Sequence, residues 1–343
     1  MKVVIRVDSS NLIGSGHIMR SITLAKRFKY RQNADVHFIS RELEGNLSYL
    51  AENAGFALHR LPRYEKDTKL TGYAEWLSVD KDTDARETIE ILRSLGDVDT
   101  LVVDSYALDI DWEKQMRPFV RKIFVIDDLA NRRHEADILL DQNFYIGKDN
   151  RYNGLVPKTC RMLLGPKHAL LRDEFYEERK TVKDRKGQIN NILVFYGGSD
   201  LTNETMKALK ALVNISPENV VVNVVVGGGN NHKNDVEKFC DEYDFFRYYC
   251  QIDNMAKFMS EADLALGAGG SSTWERLYLK LPCIVTAIAD NQIKISKDCA
   301  KAGYIDYIGT YDEVSEELLQ EKIKGYLVSG IVPSNWNFNI EWE

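Results

Sequence analysis

The sequence predicts an α/β protein of two doubly wound, Rossmann-like domains with a ligand cleft between them. Short β-branched runs alternate with amphipathic stretches of helical period along the whole chain, which is typical of βαβ units in mostly parallel sheets. The length of 343 residues suits two domains, at roughly 100–200 residues each. A polar, charged segment without apolar periodicity, residues 174–188, lies between the halves, and we expect a helix end there that runs into a linker.

The first half contains apolar runs with the length and composition of strands. These are Val3–Val7, Val36–Ser40, Thr100–Val103, Ile123–Ile126 and Ile138–Leu140. Stretches of helical periodicity lie between them, namely Ile18–Tyr30, Leu47–Asn53, Thr83–Leu95 and Trp112–Pro118. This alternation predicts an N-terminal domain over residues 1–172.

The second half repeats the scheme over residues 173–343. Its predicted strands are Asn191–Tyr196, Val220–Val226, Phe246–Tyr249, Leu264–Leu266 and Cys283–Thr286. Its predicted helices are Asn203–Val213, Asn234–Cys240, Met255–Glu261, Ser272–Leu279 and Asn291–Ala302. Ligands of doubly wound sheets gather outside the carboxyl ends of the strands, so the loops that follow the strands are the candidate sites.

Composition and charge exclude several classes of protein. A hydrophobic fraction of 44% and a charged fraction of 28% are ordinary for a chain that folds around packed cores. The net charge of −7 comes without a basic stripe, so we expect no nucleic-acid partner. An anionic ligand must therefore be held locally, by backbone N–H groups at helix ends and a few side chains.

The cysteines and the first residues predict a cytoplasmic protein. The five cysteines form no C-x-x-C pair and no Cys/His cluster with zinc spacing, so they read as reduced thiols. The apolar start, Val3–Ile5, reads as a strand rather than a signal peptide, and no run approaches the ~20 apolar residues of a membrane span. We expect no metal, no cofactor and no stable membrane association, and the sequence does not predict the oligomeric state.

The loop between the first strand and the first helix is the first candidate site. Gly14 and Gly16 form G-x-G, but Met19 stands where a dinucleotide fingerprint has its third glycine. His17 stands at the start of the helix, whose positive end favours an uncharged imidazole that is able to take a proton from water. His17 is thus either a general base or only a helix-terminal residue. Asp8, at the end of the strand, either orients that ring or contacts a sugar hydroxyl.

Three glycine-rich loops follow strands in the second half. They are Gly197–Asp200, Gly227–Asn231 and Gly267–Glu275. Backbone N–H groups that point outward at strand–helix junctions favour bound phosphate. Each loop alone is also compatible with an ordinary tight turn or a flexible loop, but the three together favour a nucleotide site.

The third glycine-rich loop contains further candidate residues. Ser271 or Ser272 is expected to cap the following helix, which leaves first-turn N–H groups to face a diphosphate. Glu275 lies where a carboxylate could accept both hydroxyls of a ribose. The alternative for Glu275 is a capping box with Ser272, three residues earlier.

The motifs named so far, with several others, resemble a known family. The chain is similar to the UDP-2,4-diacetamido-2,4,6-trideoxy-β-L-altropyranose hydrolases of pseudaminic acid biosynthesis, which are GT-B-like. The matching segments are Arg6–Ser10, Ile13–Arg20, Val103–Tyr106, Asp127–Arg132, Leu140–Asn143, Gly165–Arg172, Gly197–Asp200, Gly269–Glu275 and Asn291–Gln292. Ser15 and His168 depart from the family, which often has a larger residue and a tyrosine there.

The resemblance implies roles for individual residues. It implies that His17 is the general base, that Asn143 contacts the substrate and that Glu275 contacts the uridine ribose. It also implies a diphosphate site at the Gly198–Ser199 and Ser271–Ser272 loops. Other positions in the matching segments are predicted to bind substrate, namely Asp8, Gly16, Arg20, Tyr106, Gly270, Asn291 and Gln292.

The resulting hypothesis is hydrolysis of a UDP-sugar at its anomeric carbon, with inversion. His17 would deprotonate the water that displaces UDP, and a nucleoside diphosphate is a good enough leaving group to need no separate general acid. Two alternatives remain at this point. One is a GT-B glycosyltransferase that uses a hydroxyl acceptor, and the other is a non-catalytic protein that binds nucleotide-sugars.

Overall fold

The chain divides into two compact units. The computed structural model describes residues 1–65, 69–182, 185, 187–330, 336 and 339–340. The N-terminal unit comprises Met1–Asn143 and Gly147–Leu170, and the C-terminal unit comprises Phe144–Ile146 and Leu171–Glu343. Each unit contains a parallel sheet with helices connecting its strands, so the predicted α/β class with two doubly wound sheets is confirmed.

The N-terminal unit is built on a seven-stranded sheet. Its strands are β1 Lys2–Val7, β2 Asp35–Arg41, β3 Ala57–Leu61, β4 Val98–Asp104, β5 Val120–Ile126, β6 Ile138–Asp141 and β7 Arg161–Leu164. The spatial order is β3-β2-β1-β4-β5-β6-β7, and all neighbours pair in parallel. The order reverses between β1 and β4, so the residues after these two strands lie at the switch point where such sheets bind ligands.

In the described part of this unit, four α-helices and several 3₁₀ turns connect the strands. The helices are α1 Gly16–Gln32, α2 Tyr49–Asn53, α3 Lys81–Leu95 and α4 Ile110–Met116, and the 3₁₀ turns are Gly72–Leu77, Arg117–Phe119, Lys148–Asn150 and Pro166–His168. All the predicted strands and helices of this half are present. β3 and β7 were not predicted because both are edge strands with a single buried residue each, Leu61 and Leu164.

The C-terminal unit is built on a six-stranded parallel sheet. Its strands are β8 Asn191–Phe195, β9 Val221–Val226, β10 Phe246–Cys250, β11 Leu264–Ala268, β12 Cys283–Ala287 and β13 Asp306–Thr310. The order is β10-β9-β8-β11-β12-β13, which reverses between β8 and β11. The helices of this unit are α5 Asp173–Arg179, α6 Glu204–Ile215, α7 Lys233–Asp241, α8 Met255–Glu261, α9 Ser272–Tyr278, α10 Asp290–Lys301 and α11 Glu316–Ser329.

The charged segment 174–188 contains the expected helix end, but the part that follows is not a free linker. It begins within α5, which buries Phe175, and Lys183, Asp184 and Lys186 lie outside the described residues. Arg185 donates hydrogen bonds to backbone carbonyls at the ends of α8 and α9, and burial lowers its pKa to about 10. This arginine therefore fixes part of the segment to the C-terminal unit.

The central strands of both sheets are buried on both faces, as expected when helices cover both sides of a sheet. In β1, for example, every residue from Val3 to Val7 is buried. No helix in the described part of the chain is long and apolar enough to cross a membrane.

Candidate active site

The β1–α1 loop places His17 in the first turn of α1. The loop closes through hydrogen bonds from Gly14 N–H to the Ser10 carbonyl (2.8 Å) and from Ile13 N–H to Ser10 Oγ (3.0 Å). Gly14 has φ of +78°, a left-handed conformation that favours glycine. No atom lies within 4 Å of where a side chain of Gly16 would begin, so the surface beside His17 is open.

A buried carboxylate orients the His17 ring. Asp104, at the carboxyl end of β4, places Oδ1 2.6 Å from Nδ1 of His17, and its side chain is fully buried. Nε2 makes no hydrogen bond with any residue that the structure describes. Because an ionised carboxylate only accepts hydrogen bonds, Nδ1 carries the proton and Nε2 is the nitrogen that can accept one. This is the arrangement of a histidine that works as a general base.

Arg20 completes the surroundings of Asp104. Its Nε and Nη2 donate to the two oxygens of Asp104 at 2.8 and 2.6 Å, and Nη1 donates to Asp128 Oδ2 at 2.5 Å. Burial by itself would raise the pKa of Asp104, but the charges and hydrogen bonds of Arg20 and His17 outweigh it and hold that pKa well below its usual range. Asp104 is therefore a carboxylate at neutral pH.

Asp128, after β5, links three of the predicted residues of this unit, Arg20, Tyr106 and Asn143. It accepts the hydroxyl hydrogen of Tyr106 at Oδ2 (2.5 Å) and an amide hydrogen of Asn143 at Oδ1 (2.8 Å). Burial, and then the charge of Asp128, raises the pKa of Tyr106 well above its ordinary value, so the phenol stays protonated. Four predicted residues, His17, Arg20, Tyr106 and Asn143, thus lie in one hydrogen-bonded network through two carboxylates to which the sequence analysis gave no role.

Aromatic rings surround the imidazole. Tyr106 and Trp76 both meet His17 edge-on, with ring centroids 4.7 and 5.4 Å away, and they stack on each other at 5.1 Å. Tyr73 packs edge-on against both of these rings. Trp76 and Tyr73 lie in a 3₁₀ turn rather than after a strand, so no motif or strand-end position identified them.

Asp8 does not contact His17, which corrects one of the two roles considered for it. Its Oδ1 accepts from Arg6 Nη1 (2.6 Å) and from the backbone N–H of Arg41 (2.7 Å), and its Oδ2 is buried without a hydrogen-bond partner among the described residues. Arg6 and Asp8 lie two residues apart, on the same face of the strand, and this pairing turns the carboxylate away from the ring. Contact with a ligand hydroxyl stays a prediction.

Asp141 and Asp127 form a second group of buried carboxyls, which meet at the hydroxyl of Tyr152. Burial, and then the charge of Asp128, raises the pKa of Asp141 to about 7. The Tyr152 hydroxyl oxygen lies 3.1 Å from Oδ2 of both Asp141 and Asp127, and Arg151 Nε lies 3.2 Å from Asp141. Within the described residues, no group of three or more His, Cys, Asp or Glu side chains is arranged to hold a metal ion.

In the C-terminal unit, two of the glycine-rich loops pack directly against each other. A Cβ on Gly227 would lie 2.2 Å from the carbonyl oxygen of Gly198, so only glycine fits there. Gly197 has φ of +101°, and Asp200 accepts two backbone N–H groups at the start of α6 at 3.0 and 2.9 Å. The β9–α7 loop is therefore a packed support for the β8–α6 loop, where the predicted Ser199 lies partly exposed.

Gln292 joins the third glycine-rich loop to the start of α10. Its Oε1 accepts from the N–H of Gly269 (3.2 Å) and from that of Ile288 (3.0 Å). A side chain at Gly270 would begin 3.6 Å from Nε2 of Gln292. Gln292 thus positions the loop after β11 and the loop after β12. Asn291, which was also predicted to bind substrate, lies partly exposed in the first turn of α10.

The expected serine cap of α9 is absent. Ser271 occupies the N-cap position without a side-chain capping bond, and the hydroxyl of Ser272 accepts from Arg276 Nη1 instead (3.1 Å). Among the described residues, the backbone N–H groups of Gly270, Ser271 and Ser272 find no acceptor. The free N–H groups of this loop therefore do not depend on a serine cap. The hydroxyl of Ser272 is bound by Arg276 instead.

Glu275 is held by an arginine as well, and it forms no capping box with Ser272. Arg172 Nη2 lies 3.3 Å from Glu275 Oε1, and Arg172 Nη1 lies 2.6 Å from Glu174. Glu275 remains 17% exposed, so its carboxylate can still meet a ligand from the solvent side. The role of Glu275 toward a ribose stays a prediction.

Comparisons with known proteins agree with the motifs. Residues 191–328 match the glycosyltransferase family 28 C-terminal domain. The UDP-2,4-diacetamido-2,4,6-trideoxy-beta-L-altropyranose hydrolase of Campylobacter jejuni is 29% identical over 305 residues, which are 89% of this chain and 98% of that protein.

Two solved structures define the fold. MurG of Acinetobacter baumannii matches with a TM-score of 0.60 at 14% identity, covering 94% of this chain and 90% of that one. UGT89C1 of Arabidopsis thaliana complexed with UDP matches with a TM-score of 0.66 at 13% identity, covering 94% and 90%. At these identities the likeness shows the fold alone, and the GT-B-like fold is confirmed. The predicted resemblance is confirmed too: the chain is similar to a UDP-diacetamido-trideoxy-altropyranose hydrolase over most of its length, and its C-terminal unit matches a glycosyltransferase family 28 C-terminal domain.

Proposed function

We propose that the protein is an enzyme that hydrolyses a UDP-linked 2,4-diacetamido-2,4,6-trideoxy sugar at its anomeric carbon. The similarity to the Campylobacter hydrolase and the match to the family 28 domain support an enzyme that processes a UDP-sugar. The observation that carries the chemistry is the His17–Asp104 pair, which leaves Nε2 as the nitrogen able to accept a proton. The identity of the sugar depends on the similarity alone.

In this mechanism His17 Nε2 takes a proton from water as the water oxygen forms a bond to the anomeric carbon. The bond from that carbon to the diphosphate oxygen breaks, and UDP leaves with the electron pair. Asp104 stabilises the imidazolium that forms, and the ring later returns its proton to solvent. The products are the free sugar with inverted anomeric configuration and UDP.

The C-terminal unit is proposed to bind the leaving group. The backbone N–H groups of the Gly198–Ser199 and Gly270–Ser272 loops suit a diphosphate, because N–H groups at strand–helix junctions carry partial positive charge that favours an anion. Glu275 is proposed to accept hydrogen bonds from the ribose. The first unit thus supplies the base and the second supplies most of the affinity for UDP.

A glycosyltransferase is the second candidate, and the family 28 match is the observation that favours it. Transfer would use the same base but would need a hydroxyl acceptor in place of water. The two reactions are distinguished by incubating the enzyme with UDP-sugar and no acceptor. Hydrolysis predicts steady release of UDP, whereas transfer predicts little release until an acceptor is added. A non-catalytic binding protein predicts UDP binding and no turnover of any UDP-sugar under either condition.

A further inference from the structure

Arg276 is a buried side chain that is hydrogen-bonded to both ends of the β11–α9 loop. The side chain is only 1% exposed. Its Nη2 donates to the carbonyl of Ala268 (2.6 Å) and to Thr273 Oγ1 (3.1 Å), and its Nη1 donates to Ser272 Oγ (3.1 Å). These contacts join the end of β11 to the first turn of α9.

The charge of Arg276 is not neutralised within the protein that the structure describes. No carboxylate of the described residues forms an ion pair with it, and its buried Nε has no acceptor. Arg6 and Arg41, which are buried equally well, both pair with Asp84 at 2.7 Å. A buried charge without a partner is unfavourable, so this position retains a cost that an anion nearby would offset.

The same loop has features that suit an anion. Gly267 leaves room for the guanidinium, since a Cβ there would lie 2.8 Å from Nη1. The N–H groups of Gly270 and Ser271 have no acceptor among the described residues, and the acid that follows in the sequence, Glu275, is bound to Arg172. Free N–H donors with a buried cation close by attract a multiply charged anion more strongly than a neutral ligand.

We propose that Arg276 is a positioning residue that holds a nucleoside diphosphate on this loop, acting through the backbone rather than by direct contact. Arg276 fixes the conformation of the loop with its three hydrogen bonds and adds a fixed positive charge near the N–H groups. This inference depends on the proposed function, because it assumes that the loop binds the diphosphate of a UDP-sugar. Arg276 acts on the binding of the phosphates only, and other residues bind the nucleoside.

The test compares UDP with uridine by isothermal titration calorimetry, because only UDP carries the phosphates. Arg276→Gln keeps a donor for the loop but removes the charge. It should weaken UDP binding about tenfold or more, the effect of roughly 1.4 kcal/mol, and leave uridine binding unchanged. Arg276→Lys, which keeps the charge, should restore much of the preference for UDP. Glu275→Gln is the matched control, since loss of a ribose contact should weaken UDP and uridine by the same factor.

A second variant keeps the arginine and neutralises it in place. Thr273→Asp puts a carboxylate beside Nη2, so UDP binding should weaken relative to uridine binding even if Arg276→Gln does not fold. Equal UDP affinity in the wild type and these variants, or a parallel loss of UDP and uridine in both, would overturn the role of Arg276. If the wild type binds neither ligand, the proposed function itself fails.

Discussion

The contact between Asp104 and Nδ1 of His17 determines which ring nitrogen can act. With Nδ1–H donated at 2.6 Å, Nε2 is left to accept a proton from water. Arg20 Nη2 also lies 3.1 Å from Nδ1, and two donors can approach each other this closely because both share Asp104 Oδ1. The histidine is thus fixed by a carboxylate that is itself held by a bidentate arginine.

Asp104→Asn tests this arrangement at the level of one residue. An asparagine amide can donate to Nδ1, which would favour the tautomer with the proton on Nε2 and remove the base. We expect kcat to fall about 10²–10⁴-fold, as it should in His17→Ala, with UDP affinity within about twofold of the wild type. Steady-state kinetics and calorimetry measure the two quantities.

Asp99→Asn is the control for this substitution, because Asp99 lies at the other end of β4 and pairs with Arg121 on the surface. It should turn over like the wild type. Full turnover by Asp104→Asn would show that Asp104 does not set the state of the base.

At the scale of elements, parallel pairing brings the functional loops together. β1 lies beside β4, so the loop with His17 and the end of β4 with Asp104 share one edge of the sheet. In the other sheet β8 lies beside both β9 and β11, so the glycine-rich loops after these strands also share one edge. Close backbone contact between such loops requires glycine at specific positions.

Gly227 and Gly229 provide a matched pair for this requirement. An alanine Cβ at Gly227 would clash with Gly198 O at 2.2 Å, whereas one at Gly229 would meet the same oxygen at 3.7 Å, an ordinary contact. Gly227→Ala should lower stability by about 1–3 kcal/mol and weaken UDP binding, because it displaces the β8–α6 loop. Gly229→Ala should do neither. Thermal unfolding and calorimetry compare the two, and equal behaviour would contradict the proposed packing of these loops.

For the whole molecule, the buried carboxyls make stability depend on pH. In the folded chain the pKa of Asp141 is about 7, above its ordinary 3.8, so the folded state binds a proton that the unfolded state releases. The stability linked to this proton is fully present below pH ~3.8 and is lost as the pH rises through ~7. Asp141→Asn should therefore stabilise the protein relative to the wild type by roughly 1–4 kcal/mol at pH ~8, and by less at pH ~5.

Asp127 gives the opposite behaviour and serves as the control. Burial would raise its pKa, but Arg132 and His134 outweigh burial and lower it, so its stabilising effect is present above pH ~3.8. Asp127→Asn should destabilise the protein by a similar amount at both pH values. Urea unfolding measures all four differences, and a loss of stability in Asp141→Asn that is the same at both pH values would contradict the raised pKa.

The sequence predicted the central strands, most helices and the place of His17 at the start of α1, and it failed where the outcome depends on neighbours in space. The edge strands β3, β7 and β13 and the helix α11 bury few residues, so their periodicity is weak. Several carboxylates lie at or just after the carboxyl ends of strands, among them Asp8, Asp104, Asp128 and Asp141. Which of them reaches His17 depends on the strand order, which residue spacing does not contain.

Hydrolysis in H₂¹⁸O tests the central claim most directly. With a UDP-2,4-diacetamido-2,4,6-trideoxy sugar and no acceptor, we expect one ¹⁸O atom at the anomeric carbon of the released sugar and none in UDP, by mass spectrometry. An NMR time course should show the inverted anomer first. Label in the phosphate of UDP, or no release of UDP until an acceptor is added, would contradict attack by water at the anomeric carbon.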